Sequence, residues 1–436
     1  MDIDAIKKQL DNIDNSTKDI NTSTAAIRAM LDTPSNTIPV NPGDNLAAII
    51  ASAPAGSILA IDPAFVGGYD LVLDKPISLT NKVAPPPGRV SPDSVLPKIN
   101  GTMVFSGPNV SLIGLSITGA IPNTNMIQMG DNSIIQQCLI SGSPNGQHRA
   151  VWADAKNQLI QDSYIYNIWM DIDTQAVFCY NGCKGLNVVN CYLEASGENF
   201  LSGGADASSV DNIPQSIVFD NCDFNKPLAW KDKIGVKNLF ELKCAKGVVL
   251  KNSRLTNCWV SGQVGYAILV NVRNQDGAAP FSVIEDVLID NCTIDNVGAG
   301  FSILGTDYLN PSGKQSRLTV SNNHIQLNTD FGAARQVFIT GGSDQFKLLS
   351  NHFTYVGTFE PNTFLCFDDP AHLSTKFEFD GNEFQEGDYG IFGTGAPGLG
   401  QVVLDMYAPG YVCNANIVYK GTSGRNIQYP PCITVT

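Results

Sequence analysis

Asn291-Cys292-Thr293-Ile294 is one of ten copies of a short phrase that returns along the chain. Other copies are Gln137-Cys138-Leu139-Ile140, Asn190-Cys191-Tyr192-Leu193, Asn221-Cys222-Asp223-Phe224, Asn322-Asn323-His324-Ile325 and Gly381-Asn382-Glu383-Phe384. The last residue of each copy, from Ile117 to Phe384, is large and apolar, and successive copies lie 23 to 39 residues apart. Apolar and polar residues alternate within a copy, as around Ile217 and Phe219 or Leu318 and Val320, which is the period of a strand and not of a helix. Short strands at solenoid spacing, with no helical pattern between them, predict a parallel β-helix whose coils stack about 4.8 Å apart.

Two residues before each large apolar position the column reads Leu115, Cys138, Ser163, Cys191, Cys222, Ser253, Cys292, Asn323, Asn351 and Asn382. Such a column suits an inward turn between two sheets, where Asn amides bond from coil to coil and a free Cys packs as a small hydrophobe. It accounts for four of the eleven cysteines, and their separation by whole coils does not fit a zinc site. Cys179 and Cys183 have metal-like spacing without a partner pair. His324 and His352 fall at exposed strand positions, and His148 and His372 lie in loops, so no metal or other cofactor is expected.

The chain has 436 residues, 43% of them hydrophobic and 16% charged, enough to bury a large core. A net charge of −14 opposes binding to nucleic acid or anionic lipid. The longest apolar run, from Leu46 to Ala60, is interrupted by Ser, Pro and Gly, which argues against membrane insertion. Met1-Asp2-Ile3-Asp4 opens no signal peptide, so synthesis and folding in a cytoplasm are expected.

Ile3, Ile6, Leu10, Ile13, Thr17, Ile20, Thr24, Ile27 and Leu31 alternate spacings of three and four. That is a coiled-coil seam, and isoleucine at every d position favours three or four strands over two. A parallel homotrimer through residues 3–31 is expected, the alternative being a lone amphipathic helix lying on the body. The expected organisation is a stalk over 1–32, a proline-stiffened linker over 33–43, and a β-helix over 44–436. Asp44 is the expected N-cap of a short helix carrying Leu46, Ile49 and Ile50 that covers the open end of the stack. The Gly- and Pro-rich carboxyl end shows no comparable cap, only a last strand over 416–419.

The residues from 44 to 90, with the turn Lys75-Pro76-Ile77-Ser78-Leu79, resemble the entry of pectate-lyase-like right-handed β-helices. The central stretch resembles bacterial and viral β-helix proteins through Ser196-Gly197-Glu198-Asn199-Phe200-Leu201-Ser202-Gly203-Gly204-Ala205-Asp206, Val236-Lys237-Asn238-Leu239-Phe240-Glu241-Leu242-Lys243 and Arg273-Asn274-Gln275-Asp276-Gly277. A trimerising helix ahead of a β-helix also resembles bacteriophage tailspikes and tail fibres. The resemblance implies an all-β, right-handed parallel β-helix solenoid with an amino-terminal α-helical coiled coil. It implies a virion protein that binds, and in one form degrades, a host surface polysaccharide, anchored to other virion proteins through its amino-terminal segment. Two further classes stand beside it: a structural virion or appendage protein, and a secreted polysaccharide lyase or hydrolase.

Pectate-lyase-like enzymes imply an Arg or Lys base with calcium held by carboxylates, and β-helix hydrolases imply paired carboxylates. With Phe240, Leu242, Ile268, Val270, Phe301 and Ile303 pointing inward, Glu241, Lys243, Asn271 and Arg273 point outward on successive coils, with Asp276 and Asp307 in the following turns. Glu198 opens the matching stretch one coil earlier. The candidate catalytic set is therefore Glu198, Glu241, Lys243, Arg273, Asp276 and Asp307. A cross-coil ion ladder of Glu241, Lys243 and Arg273 is the structural alternative. The net charge favours neutral glycans, for which Trp152, Trp169, Trp230 and Trp259 are candidate stacking residues unless they pack loops onto the solenoid.

Overall fold

The computed structural model describes residues 36–436. The heptads of residues 3–31 lie outside the described residues. The described chain forms two compact units, one running to Ala195 and including Gln215–Cys222, the other made of Ser196–Pro214 and Asp223–Thr436.

Each unit is built from three parallel sheets, and each coil adds one strand to each sheet in chain order. In the first unit, one sheet runs from Thr37–Val40 to Gln215–Asp220, a second from Val66–Gly68 to Tyr192–Ala195, and a third from Leu71–Leu73 to Gln175–Cys179. In the second unit the corresponding sheets run from Ala245–Lys251 to Val412–Asn414, from Asp223–Asn225 to Ile433–Val435, and from Glu198–Ser202 to Ile391–Gly393. The expected large apolar residues, Ile117 through Phe384, are all fully buried and occupy the second sheet.

The turn from the first sheet to the second is sharp because one residue in it takes the left-handed conformation. Gln137, Asp162, Asn190 and Asn221 do so in the first unit, and Asn252, Asn291, Asn322, Ser350 and Gly381 in the second, with φ between 51° and 66°. Asn and Gly recur in that column because they tolerate this region best. The Asn side chains also stack: Asn190 Nδ2 donates to Asp162 Oδ1 at 2.6 Å, and Asn291 Nδ2 to Asn252 Oδ1 at 2.8 Å.

The next residue is the buried ladder read from the sequence. Asn351 Oδ1 accepts from Asn323 N at 3.1 Å and Nδ2 at 2.9 Å, while Asn351 Nδ2 donates to Val320 O at 2.9 Å and Asn382 Oδ1 at 3.0 Å. Asn382 repeats the pattern with Asn416, which extends the column by one coil. Where the column holds Cys, the thiol lies within bonding distance of a carbonyl two residues earlier and of one in the preceding coil: Cys138 of Gln136 O and Leu112 O, Cys191 of Val189 O and Ile160 O, and Cys222 of Asp220 O and Val188 O. All of these cysteines are free and buried.

The ends differ from expectation in detail. The amino-terminal helix Leu46–Ser52 is capped by Asn45, whose side chain accepts from Ala48 N, while Asp44 accepts from Asn41 N instead. Thr37–Val40, within the expected linker, pairs with Ser57–Ile61 as an edge strand, a position that tolerates Pro39. The carboxyl end does carry a cover: helix Gln401–Tyr407 buries Val403, Leu404 and Tyr407, and Tyr407 stacks on Phe367. A disulfide joins Cys413 to Cys432, and the last strand, Ile433–Val435, pairs with Asn416–Tyr419.

Asn351→Ala would take the acceptor from the buried Asn323 N–H and the side-chain donor from Val320 O, so a loss of about 3 kcal/mol in unfolding free energy is expected from urea titration. Cys222→Ser, which places at this position the residue already used at Ser163 and Ser253, should stay within about 1 kcal/mol of the parent.

Candidate functional site

The outer wall of the third sheet in the second unit positions the charged cluster. Glu241 lies mid-strand in Phe240–Leu242 between two inward residues, and its register partner is Leu269, then Ser302, then Phe338. Lys243 O accepts from Arg273 N at 2.9 Å, so these two cations sit on consecutive rungs of the same ladder. Asn271 closes the strand Tyr266–Asn271 and donates Nδ2 to Ser302 Oγ at 3.5 Å.

These side chains line a cavity of about 660 Å³, which includes Glu241, Lys243, Arg273, Asp307, Tyr266 and Arg335. A second cavity of about 580 Å³ shares Asn271, Arg273, Ser302 and Phe338 with it and reaches Asp368, Asp369 and His372. The two form one trough along the coil-stacking direction, four rungs from Glu241 to the strand Thr363–Phe367, or roughly 19 Å. His372 Nδ1 and Asp369 Oδ2 are 2.7 Å apart at its far end.

Four of the six predicted residues therefore converge. Glu241 is only 2% exposed, receives Asn238 Nδ2 at 2.7 Å, and lies 3.6 Å from Lys243 Nζ. Burial pushes its carboxyl up to about 7, and the neighbouring Glu198 charge pushes the same way against Lys243 and Lys237. Asp307 is a tied carboxylate: Oδ1 accepts from Arg273 Nη1 at 3.1 Å and Leu309 N at 3.0 Å, and Oδ2 from Asn274 N at 3.2 Å. Glu198 is 1% exposed and pairs with Lys237 at 3.7 Å, so it supports Glu241 without lining the trough.

Asp276 is not brought to the site. Asp276 lines neither cavity, although its neighbour Gln275 borders the larger one; its turn is exposed, with Asp276 N and Ala278 N donating to Asp206 Oδ2. Much of the motif around it serves the turn: Asn274 Oδ1 accepts from Ala279 N and its Nδ2 donates to Pro311 O. The Ser196-Gly197-Glu198-Asn199 segment likewise holds the fully buried Lys226, whose Nζ donates to Gly197 O at 2.6 Å and Asn199 Oδ1 at 3.0 Å.

The expected stacking tryptophans are corrected in part. Trp230 and Trp259 are buried, Trp259 edge-on to Phe331, so they pack turns against the sheets. Trp152 and Trp169 are half-buried, and Trp152 packs edge-on to Phe178. Tyr266, Phe338 and Arg335 were not read from the sequence. Tyr266 and Phe338 stack at 6.3 Å, Arg335 lies over Phe338 at 5.2 Å, and burial pushes the Tyr266 hydroxyl up to about 12. Continuing the outward column of Glu241 and Leu269 two rungs past Leu269 locates Phe338, whereas Tyr266 and Arg335 share the parity of inward Ile268 and Val337, so alternation alone does not bring them to the wall.

The donor set does not suit the calcium that a pectate-lyase-like site implies. The carboxylates here are engaged by Lys237, Lys243 and Arg273, and no group of three His, Cys, Asp or Glu among the described residues could hold a metal ion. The 660 Å³ cavity is lined by the cations Lys243, Arg273 and Arg335 against the carboxyls Glu241 and Asp307, a local balance opposite in sign to the chain as a whole.

No protein-family model matches the chain, and no curated protein does either. Among solved structures, a mannuronic-acid-specific polysaccharide family 6 lyase from human gut microbiota is 12% identical with a TM-score of 0.54, covering 92% of this chain and 91% of its own. A family 6 polysaccharide lyase from Pseudopedobacter saltans is 12% identical with a TM-score of 0.52, covering 89% and 94%. The likeness is one of fold. This chain is a right-handed parallel β-helix. A tailspike variant of E. coli bacteriophage HK620, solved with a pentasaccharide, is 10% identical with a TM-score of 0.40, covering 94% and 73%.

A carboxyl raised from about 4.5 to about 7 binds its proton more tightly in the folded state, so its contribution to stability is present at acid pH and is lost as pH rises through that window. Glu241→Gln should flatten the pH dependence of the unfolding midpoint between about 4.5 and 7 and leave the protein at least as stable as the parent above pH 7. An unchanged pH profile would show Glu241 ionising normally.

Proposed function

We propose that this chain is a polysaccharide-binding β-helix that cleaves an acidic glycan by elimination, held on an oligomerising amino-terminal stalk in the manner of a phage spike. The observation that carries the cleavage is the convergence of Glu241, Lys243, Arg273 and Arg335 on the 660 Å³ cavity, where cations outnumber carboxyls inside a chain that is otherwise strongly acidic. A cation-lined cavity attracts a uronate carboxylate that the rest of the surface repels. Trough length supports a polymer lying along the coils. The fold shared with family 6 lyases is consistent with that use of the wall.

Elimination fits these residues better than hydrolysis. A hydrolase needs two carboxyl groups at liberty to act on opposite sides of the glycosidic bond. Here Asp307 is held by three donors, whereas Glu241 accepts from Asn238 Nδ2 and sits beside Lys243, and it is the carboxyl of this cavity whose proton affinity burial raises toward neutral pH. In elimination a base removes the proton beside the uronate carboxylate, the electron pair forms a carbon–carbon double bond, and the glycosidic oxygen leaves with a proton. Arg273 and Arg335 stabilise the negative charge that develops on the carboxylate. Glu241 and Lys243, 3.6 Å apart, supply the proton-transfer pair.

The virion setting rests on the heptads of residues 3–31 together with the β-helix. On this reading the stalk carries a homotrimer, joins other virion proteins, and presents the trough to a host surface polysaccharide.

The test is product analysis on the full chain with polymannuronate, polygalacturonate and purified capsular and O-antigen polysaccharides. Unsaturated products are expected. Glu241→Gln and Lys243→Ala should each lower kcat by at least about 100-fold with binding retained, and Arg273→Ala should weaken both. Saturated products would point to a hydrolase, and binding without cleavage, unaltered by Glu241→Gln, to a non-catalytic adhesin.

A further inference from the structure

Tyr308 and Leu309 are among the most exposed large side chains of the described residues, at 65% and 71%. They stand at the apex of the turn over residues 306–312, and that turn is firmly built. Asp307 ties it to Arg273 and to the backbone of Asn274 and Leu309, and Ser312 Oγ accepts from Asp307 N at 3.0 Å. The Arg273 guanidinium lies 5.9 Å from the centre of the Tyr308 ring. Tyr308 borders the 580 Å³ cavity and Leu309 the 660 Å³ cavity, so the apex stands over the trough where its two halves join. Val264, from the turn before Tyr266, is also exposed and lines the larger cavity with Leu309.

Single exposed apolar residues need no explanation, but adjacent ones on a rigid turn beside a polar cavity do. Apolar surface kept in water is unfavourable in proportion to its area, and the turn holds these side chains out where the free protein does not bury them. An occupant must therefore offer an apolar face to the apex and polar groups to the trough below. A pyranose ring does both, with C–H bonds on one face and hydroxyl groups around its edge. Tyrosine suits the contact because its ring is large, amphipathic and loses little rotamer entropy.

We propose that the turn over residues 306–312 is a sugar clamp in which Tyr308 and Leu309 stack on the unsubstituted face of a pyranose ring next to the reacting one. It rests on the glycan reading above and adds a selection rule to it: polymers whose ring carries an axial or acyl substituent on that face are rejected. Asp307 is then a positioning residue, holding both the clamp and Arg273 in place.

Full-length protein is assayed on the same polysaccharide panel for KM, kcat and pH profile. Tyr308→Ala should raise KM about tenfold while kcat stays within about twofold and the pH profile is unmoved. Tyr308→Trp should restore KM, and Leu309→Ala should show a smaller rise. An unchanged KM in the Tyr308→Ala, Leu309→Ala double variant overturns the clamp and leaves the cleavage reading intact. A change in sedimentation mass on Tyr308→Ala also overturns it, because the apex would then be a contact between copies. A parent protein that neither binds nor cleaves any polymer on the panel removes the glycan reading itself, and the clamp with it.

Discussion

A backbone group buried in a turn has no water to fall back on, and this chain must bury such a turn once in every coil. The solution is local and repeated. One residue accepts the left-handed conformation so that the chain can bend sharply, and the next sends a small polar side chain to the neighbouring coil, where it satisfies exposed N–H and carbonyl groups. Asn does this with both ends of its amide; Cys brings only one weak donor, a thiol shared between a carbonyl of its own coil and one of the preceding coil. Every other feature of the two units depends on that column staying in register, because a slip by one residue would turn the inward apolar rows outward.

The candidate site inherits its geometry from the same register. Glu241 points outward because Phe240 and Leu242 on either side point into the core, and its carboxyl is buried all the same, beside Asn238 and Lys243. Lys243 and Arg273 are adjacent because their coils are hydrogen-bonded directly, so two like charges sit about one rung apart and are balanced by Glu241 and Asp307. A set of ion pairs of this kind can pin strands together. What distinguishes it here is the open trough above, and a carboxyl whose burial keeps its proton near neutral pH.

The parts of the site that were legible in the sequence are those carried on strands. Glu241, Lys243 and Arg273 could be placed because alternation sets which side chains face out and the repeat sets which rungs are neighbours. Asp307 was found for the same reason, just beyond a strand end. Asp276 lies in the expected turn but outside the cavities, because turns between coils vary in length and their sequence does not show how they fold; here Asp206 holds the turn. Glu198 was correctly placed one coil back, yet its burial behind Glu241 depends on side chains from several coils. Phe338 was within reach of the same alternation, carried two rungs past Leu269, but Arg335 was not, because it shares the parity of inward Val337.

The amino-acid sequence by itself determined the β-helix, its inward rows and the Asn and Cys column, because these repeat ten times and each copy states the same requirement. Only the tertiary structure decided the carboxyl-terminal helix, which begins after a left-handed Gly400 in a stretch that reads as loop, and the pairing of Cys413 with Cys432 among eleven cysteines. It also decided that Asp307 is tied to Arg273 and two backbone N–H groups while Glu241 is buried beside Asn238 and Lys243, and that a turn carries Tyr308 and Leu309 beside the trough. These are properties of non-repeating segments, where each residue's environment is set by chain that is distant in sequence and near in space.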